Sequence, residues 1–366
     1  MIVASQPTQR PPDARLLVVD ALGCIHHAPR SALVQFLKPG DLAIANDAAT
    51  MPASLAAVHL RTGELIEVRL AGRRSLAADD VREFSAVVFG AGDFHTRTED
   101  RPAPPHLKSG DELRIGPLRA AVRALLGHPR LITLHFAGSP DAIWAGLAQQ
   151  GRPIQYAHVP VPLALWDVWT PIAGPPVAFE PPSAGFALDW HLLAGVRARG
   201  VDFATITHAA GISSTGDPQL DHRLPLDEPY LIPEAAVRAI RRAQSHGGRI
   251  IAVGTTVVRA LEHAASRGAL RAGPGLATGR VNAETRLQVV NALLSGTHEP
   301  GTSHYELLRA FAGAATLQRI TAELDGNRYR THEFGDSVLI ERQSYASADL
   351  YSTISLPHAR SAAGLL

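Results

Sequence analysis

The sequence predicts an α/β fold, a mostly parallel sheet covered by helices, with a small all-β, barrel-like domain inserted at residues 59–136. Two observations predict it. Strand-like apolar runs alternate with amphipathic helical stretches across residues 188–267, as expected of a sheet covered on both faces. Between residues 59 and 136 the texture changes to short strand-like runs divided by Gly, Pro and charged turns, with no long helix. The main α/β domain is therefore assigned to residues 1–58 and 137–366. At 366 residues and 46% apolar content, the chain is long enough for two cores.

Taken in order, residues 15–20 (RLLVVD) and 41–46 (DLAIAN) read as buried strands, with a turn at Pro39-Gly40 between them. The insert offers strand-like runs at residues 65–70, 86–89, 112–115 and 131–136. Pro140 suits the first position of a helix ending near Gly151, with Ser139 as its cap. Residues 160–182 are Pro-rich and aromatic, with Trp166, Trp169 and Phe179, and are expected to be irregular. Then follow a helix at 188–199 stopped by Gly200, a strand at 201–207, a helix at 233–245, a strand at 250–253 and a helix at 257–267. Ligands of such sheets bind at the carboxyl ends of the strands, which singles out Asn46-Asp47, His208 and Gly254-Thr255-Thr256 together.

Composition narrows the function classes. The formal net charge is only +1, so any RNA contact must come from a local basic patch. Arg238, Arg241 and Arg242 on one helix, with Arg69, Arg73 and Arg74 in the insert, are candidates; an ordinary solvated face is the plainer reading. Cys24 is the sole cysteine, which excludes an internal disulfide and a Cys-based zinc cluster. No apolar run approaches the roughly 20 residues of a membrane helix, and the first residues lack a signal-peptide core, so a cytoplasmic protein with no membrane partner is expected. The histidines are scattered, no His-Glu-x-x-His appears, and the adjacent His26-His27 would point to opposite faces of a strand; no metal is expected.

The segment at residues 247–262, GGRIIAVGTTVVRALE, runs a β-rich strand into Gly254 and opens a helix with two threonines. The free N–H groups of a helix's first turn and its positive end favour an anionic ligand group, and Gly254 lets that group approach the backbone. The alternative is that Thr255 or Thr256 simply caps the helix. For Arg259 and Glu262, one turn apart, the alternative is a surface ion pair. The loop Ser213-Ser214-Thr215-Gly216 reads as a surface loop, residues 272–279 (AGPGLATG) follow no strand and are discounted as a phosphate loop, and Trp166 and Trp169 suit core packing or stacking on a base.

Ala252-Val253-Gly254-Thr255-Thr256, followed by Arg259 and Leu261-Glu262, resembles the signature of the S-adenosylmethionine:tRNA ribosyltransferase-isomerase family of queuosine biosynthesis. Asn46-Asp47 with Pro52-Ala53, Pro182-Ser183-Ala184-Gly185, His208, Glu228 with Tyr230, His298 with Pro300, and Arg328-Tyr329-Arg330 with Phe334-Gly335-Asp336 extend the likeness in order. The resemblance implies an α/β body with an inserted β-barrel. It implies transfer and rearrangement of the ribosyl part of S-adenosylmethionine, a co-substrate, onto 7-aminomethyl-7-deazaguanine in tRNA, giving epoxyqueuosine and releasing adenine and methionine, without a metal. Carried over residue by residue, it makes Asp47, His208 and Glu228 the catalytic candidates. It places Asn46, Ser183, Gly185, Tyr230, Gly254, Thr255, Thr256, Arg259 and His298 on the substrate.

The sequence also departs from the family pattern. Ala48-Ala49 replace Thr-Arg, and Ser54 and Ala187 replace an arginine and a histidine. Residues 223–228 lack both histidines of their segment, Asn282-Ala283-Glu284-Thr285 replace Tyr-Pro-Gly-Tyr, and Ser295-Gly296-Thr297 replace Thr-Asn-Phe. Arginines and aromatics are what RNA recognition uses. Three readings follow: a working tRNA transferase-isomerase, a paralogue that binds S-adenosylmethionine or a related nucleoside but serves a small-molecule acceptor, and a non-catalytic binding protein.

Overall fold

The structure is a computed structural model and describes residues 1–266 and 268–343. Its centre is a nine-stranded sheet in which Leu42–Asn46, the fourth strand from one edge, lies parallel to Asp202–His208 on one side and Ile250–Val253 on the other. Ile250–Val253 continues in parallel to Ala292–Gly296. The sheet is mixed rather than mostly parallel: Glu228–Ile232 returns antiparallel to Asp202–His208, Gly273–Ala277 pairs antiparallel to it, and Ser337–Glu341 runs antiparallel to Ala292–Gly296. The reason lies in the connections. A parallel neighbour needs a crossover, usually a helix, whereas an antiparallel one can be reached by a loop. Between His208 and Glu228 the only helix is the short Pro218–Asp221, and the chain turns back on itself.

The helices read from sequence form where their apolar spacing demands. Glu234–Ser245 buries Ala236, Val237, Ala239, Ile240 and Ala243 on one face. Pro140–Gln150 opens with the Ser139 side chain accepting the Ala142 N–H at 3.3 Å. The helix expected at 257–267 begins two residues earlier and runs Thr255–Ala265; the expected end at residue 267 lies outside the described residues. Residues 272–279 supply the edge strand Gly273–Ala277. Residues 160–182 are largely irregular, with a single short helix at Leu165–Val168.

The insert is a closed six-stranded antiparallel barrel, ordered Leu118–His128, Leu131–Phe136, Glu83–Phe89, Leu65–Gly72, Ser54–His59 and Glu112–Ile115. Two of these strands, Ser54–His59 and Leu118–His128, carry too many Ala, Ser and charged residues to declare themselves in sequence. Closure leaves no free edge. Phe84 and Phe136 pack edge-on inside the barrel, and Phe84 also meets Phe179 of the α/β body edge-on, ring centres 6.1 Å apart. The two cores are continuous there: Ile143, Leu147, Ile212, Leu220 and Leu224 of the main body lie in the barrel's apolar cluster.

Candidate functional site

Leu42–Asn46 ends beside the carboxyl ends of its two parallel neighbours, and the buried Asn46 side chain ties all three together. Its Oδ1 accepts the His208 N–H (2.9 Å) and the Ala48 N–H (3.1 Å). Its Nδ2 donates to the His208 carbonyl (2.9 Å) and to Thr256 Oγ1 (3.4 Å). The amide's full hydrogen-bonding capacity is thus spent on protein. Asp47, next along the chain, is half-buried and accepts from Thr207 Oγ1 at 2.7 Å.

His208 is wholly buried, with Nε2 at 3.2 Å from Glu228 Oε2 but without the alignment of a hydrogen bond; neither ring nitrogen has a hydrogen-bond partner among the described residues. Glu228 accepts the Gly211 N–H at 2.6 Å and pairs with Arg259 Nη1. Burial works against the Glu228 charge, but His208, Arg259 and the Gly211 N–H outweigh it and hold the pKa below the ordinary carboxylate value. The rest of the Arg259 guanidinium donates to the carbonyls of Leu226 (2.8 Å), Ala277 (3.0 Å) and Gly279 (3.2 Å). Tyr230 presents its ring edge to His208 at 6.4 Å and bonds His263 Nδ1 through its hydroxyl at 3.1 Å. Arg259 and Glu262 do not form a surface pair. Both are buried, and Glu262 instead accepts the backbone N–H groups of Gln288, Val289 and Val290 at 2.6, 3.0 and 2.8 Å.

At the Gly254 turn the threonine-cap alternative fails, because Gly254 itself occupies the cap position with φ 104° and ψ 148°, leaving Thr255 and Thr256 inside the first turn. Their N–H groups meet no acceptor among the described residues, as the first turn of a helix requires when nothing caps it. Thr255 Oγ1 lies 3.3 Å from His304 Nδ1, the His304 ring stacks on His298 at 4.9 Å, and His298 Nε2 lies 2.6 Å from Ser295 Oγ. Burial, with help from His304 and His332, pushes the His298 pKa well down; burial also lowers that of His304, so both imidazoles are neutral near pH 7. Ser183 and Gly185 lie in the short turn Ser183–Ala187. The neighbouring Ala184 sits 3.5 Å from where a Cβ on Gly254 would stand, and Gly185 is packed so tightly on Thr170 that a Cβ there would be 2.8 Å from Thr170 Cγ2.

The structure therefore gathers Asn46, Asp47, His208, Glu228, Tyr230, Arg259 and the Gly254 turn at one end of the sheet, with His298 reaching the turn through His304. A second group of side chains, unseen in sequence, borders it. Glu180 hydrogen-bonds Tyr156, whose hydroxyl also donates to the Ser214 carbonyl at 3.1 Å. His158 Nε2 lies 2.9 Å from Glu333 Oε2, and the His158 and His332 rings stack at 4.2 Å. Burial, joined by the Glu333 charge, pushes the Glu180 pKa up to about 7. Glu180 stands two residues before Pro182, but no spacing rule connects it to Tyr156 or Glu333.

Some plain readings also change. Trp166 is 75% exposed and Trp169 40%, so neither is a core residue. Arg69 and Arg73 are buried, not solvated, whereas Arg238 and Arg242 make exposed pairs with Glu234 (3.0 Å) and Asp202 (2.6 Å), as an ordinary surface helix does. In the loop after His208, Thr215 is fully buried and bonds Asp221 at 2.6 Å. No described helix is long and apolar enough to cross a membrane.

Comparison with known proteins adds a family and relatives. A family model described as queuosine biosynthesis protein matches residues 1–340. An S-adenosylmethionine:tRNA ribosyltransferase-isomerase of Thiobacillus denitrificans is 30% identical, the match covering 92% of this chain and 94% of that one. One of Sorangium cellulosum is 32% identical, covering 93% and 95%. One of Gloeobacter violaceus is 33% identical, covering 92% of each.

Proposed function

The chain belongs to the queuosine biosynthesis protein family, and from that premise we propose that it is an S-adenosylmethionine:tRNA ribosyltransferase-isomerase. On this reading it moves the ribosyl part of S-adenosylmethionine onto 7-aminomethyl-7-deazaguanine in tRNA, yields epoxyqueuosine and releases adenine and methionine. The observation that carries the proposal is the convergence of Asp47, the His208–Glu228 couple and the uncapped Gly254 turn at the carboxyl ends of adjacent strands.

The roles follow from chemistry. A sulfonium acidifies its neighbouring carbon, so a well-placed base of modest strength can remove that proton. Asp47 is the least enclosed of the three candidate groups and takes that part. Glu228, kept ionised by His208 and Arg259, faces the His208 imidazole and anchors Arg259 beside the site. The Thr255 and Thr256 N–H groups receive the methionine carboxylate or a ribose oxygen, with Gly254 and the Ser183–Gly185 turn giving the backbone room. Asn46, Tyr230, Arg259 and His298 act by fixing this frame. The exposed Trp166 and Trp169 offer flat faces for a nucleobase. Neutral His298 and His304 line the turn beside Thr255.

The test is a chromatographic assay with S-adenosylmethionine, with and without tRNA carrying 7-aminomethyl-7-deazaguanine. Adenine and methionine release that depends on this tRNA is the expected result. Binding of S-adenosylmethionine without tRNA-dependent release would replace the tRNA acceptor by another.

A further inference from the structure

Beside the strand-end site, three side chains from two separate segments meet at the cleft margin. His158 comes from the irregular stretch after the Pro140–Gln150 helix, and His332 and Glu333 from the turn between the short strand Arg330–Thr331 and Ser337–Glu341. Each can offer one ligand atom, and these atoms all lie within 4.8 Å of one another. From this geometry we infer that His158, His332 and Glu333 form a binding site for a divalent transition-metal ion of the zinc type.

Three features support the assignment. Two imidazoles and one carboxylate form a three-ligand nitrogen and oxygen set of the kind zinc accepts with a fourth, open position. Hard ions such as Mg²⁺ prefer oxygen alone, so the nitrogen donors discriminate against them. His332 adopts φ 67°, a left-handed conformation that few non-glycine residues take, and this bend brings consecutive side chains, His332 and Glu333, to the same site.

His158 Nε2 sits 2.9 Å from Glu333 Oε2, and the His158 and His332 rings stack at 21° between planes. Near-parallel rings do not aim their nitrogens at one point, so binding requires one ring to turn. His332, exposed at the cleft margin, is the ring able to do so.

Untagged protein stripped with chelator is titrated with Zn²⁺ by calorimetry, with Mg²⁺ as the control, in the absence of S-adenosylmethionine and tRNA. One equivalent of Zn²⁺ is expected to bind, Mg²⁺ is expected not to, and His332→Ala and Glu333→Gln should each weaken Zn²⁺ by about 100-fold. Co²⁺ in place of Zn²⁺ should give a visible absorption band that His332→Ala abolishes. Thermal unfolding without metal checks the folds; should Glu333→Gln unfold, His332→Ala decides, since its side chain is exposed. Absence of stoichiometric binding, or stoichiometric binding unchanged in the folded variants, overturns the site. The readout is binding alone, so it stands or falls separately from the tRNA activity.

Discussion

His208 and Glu228 face each other at 3.2 Å from adjacent antiparallel strands, and Arg259 pairs with the same carboxylate oxygen, Oε2. The triad is buried on every side, which makes the carboxylate the sole neutraliser described for the guanidinium. Glu228→Gln leaves that cation without its counter-charge, and breaking a buried pair in this way costs about 3 kcal/mol. Urea unfolding should show a loss of this size. A change under about 1 kcal/mol would mean that the carbonyls of Leu226, Ala277 and Gly279 suffice for Arg259.

At the strand-to-helix turn, Gly254→Ala separates conformation from space. The nearest atoms to an added Cβ stand 3.5 Å away, so no clash arises, but φ 104° is a conformation that alanine resists. A destabilisation of about 1–3 kcal/mol is expected, together with weaker S-adenosylmethionine binding as the turn relaxes. Thr255→Val keeps the backbone N–H groups and removes only the hydroxyl that meets His304, so S-adenosylmethionine affinity should fall less than in Gly254→Ala. Calorimetry that finds affinity unchanged in both variants would remove the turn from the site.

How far the sequence reveals this site follows from what is local. The strand-to-helix turn at Gly254 is written in consecutive residues, as are the Ser139 cap and the apolar face of Glu234–Ser245. Strand direction is not. Residues 228–232 read as no strand at all, because Pro229 interrupts them and they serve near a sheet edge, where a missing N–H is tolerated. Arg259 and Glu262 illustrate the same limit: their spacing permits an ion pair, yet Glu228 and the Gln288–Val290 backbone lie distant in sequence and compete better. Glu180, Tyr156, His158 and Glu333 likewise meet only after the chain has folded.

Glu180 gives a pH signature. Its folded pKa of about 7 lies above the ordinary value of 4.5, so the folded state holds the proton more tightly than the unfolded chain. The resulting stabilisation is fully present below pH 4.5 and is lost as pH rises through about 7. Glu180→Gln cannot ionise. The stability of the native protein relative to this variant should therefore decline steadily across that window, measured by urea unfolding at several pH values. A flat difference would show that Tyr156 and Ser213 keep the carboxylate as well solvated as water does.

Glu262 supplies the control that the strand-end site demands. Its carboxylate accepts three backbone N–H groups, of Gln288, Val289 and Val290, and it sits in the second half of the helix that the Gly254 turn begins. Glu262→Ala strands the buried Val289 and Val290 donors, and each unsatisfied buried group costs about 1–3 kcal/mol. A stability loss of about 3 kcal/mol or more is expected. Seven residues of helix separate Glu262 from Thr255, about 10 Å along the axis, and the ligand-facing N–H groups lie at the other end. S-adenosylmethionine affinity per folded molecule should therefore stay within a factor of about two of the native value, as distant sites behave additively. Calorimetry below the unfolding transition measures it. A marked fall in affinity at preserved stability would show instead that the Gln288–Val290 loop shapes the substrate end of the helix.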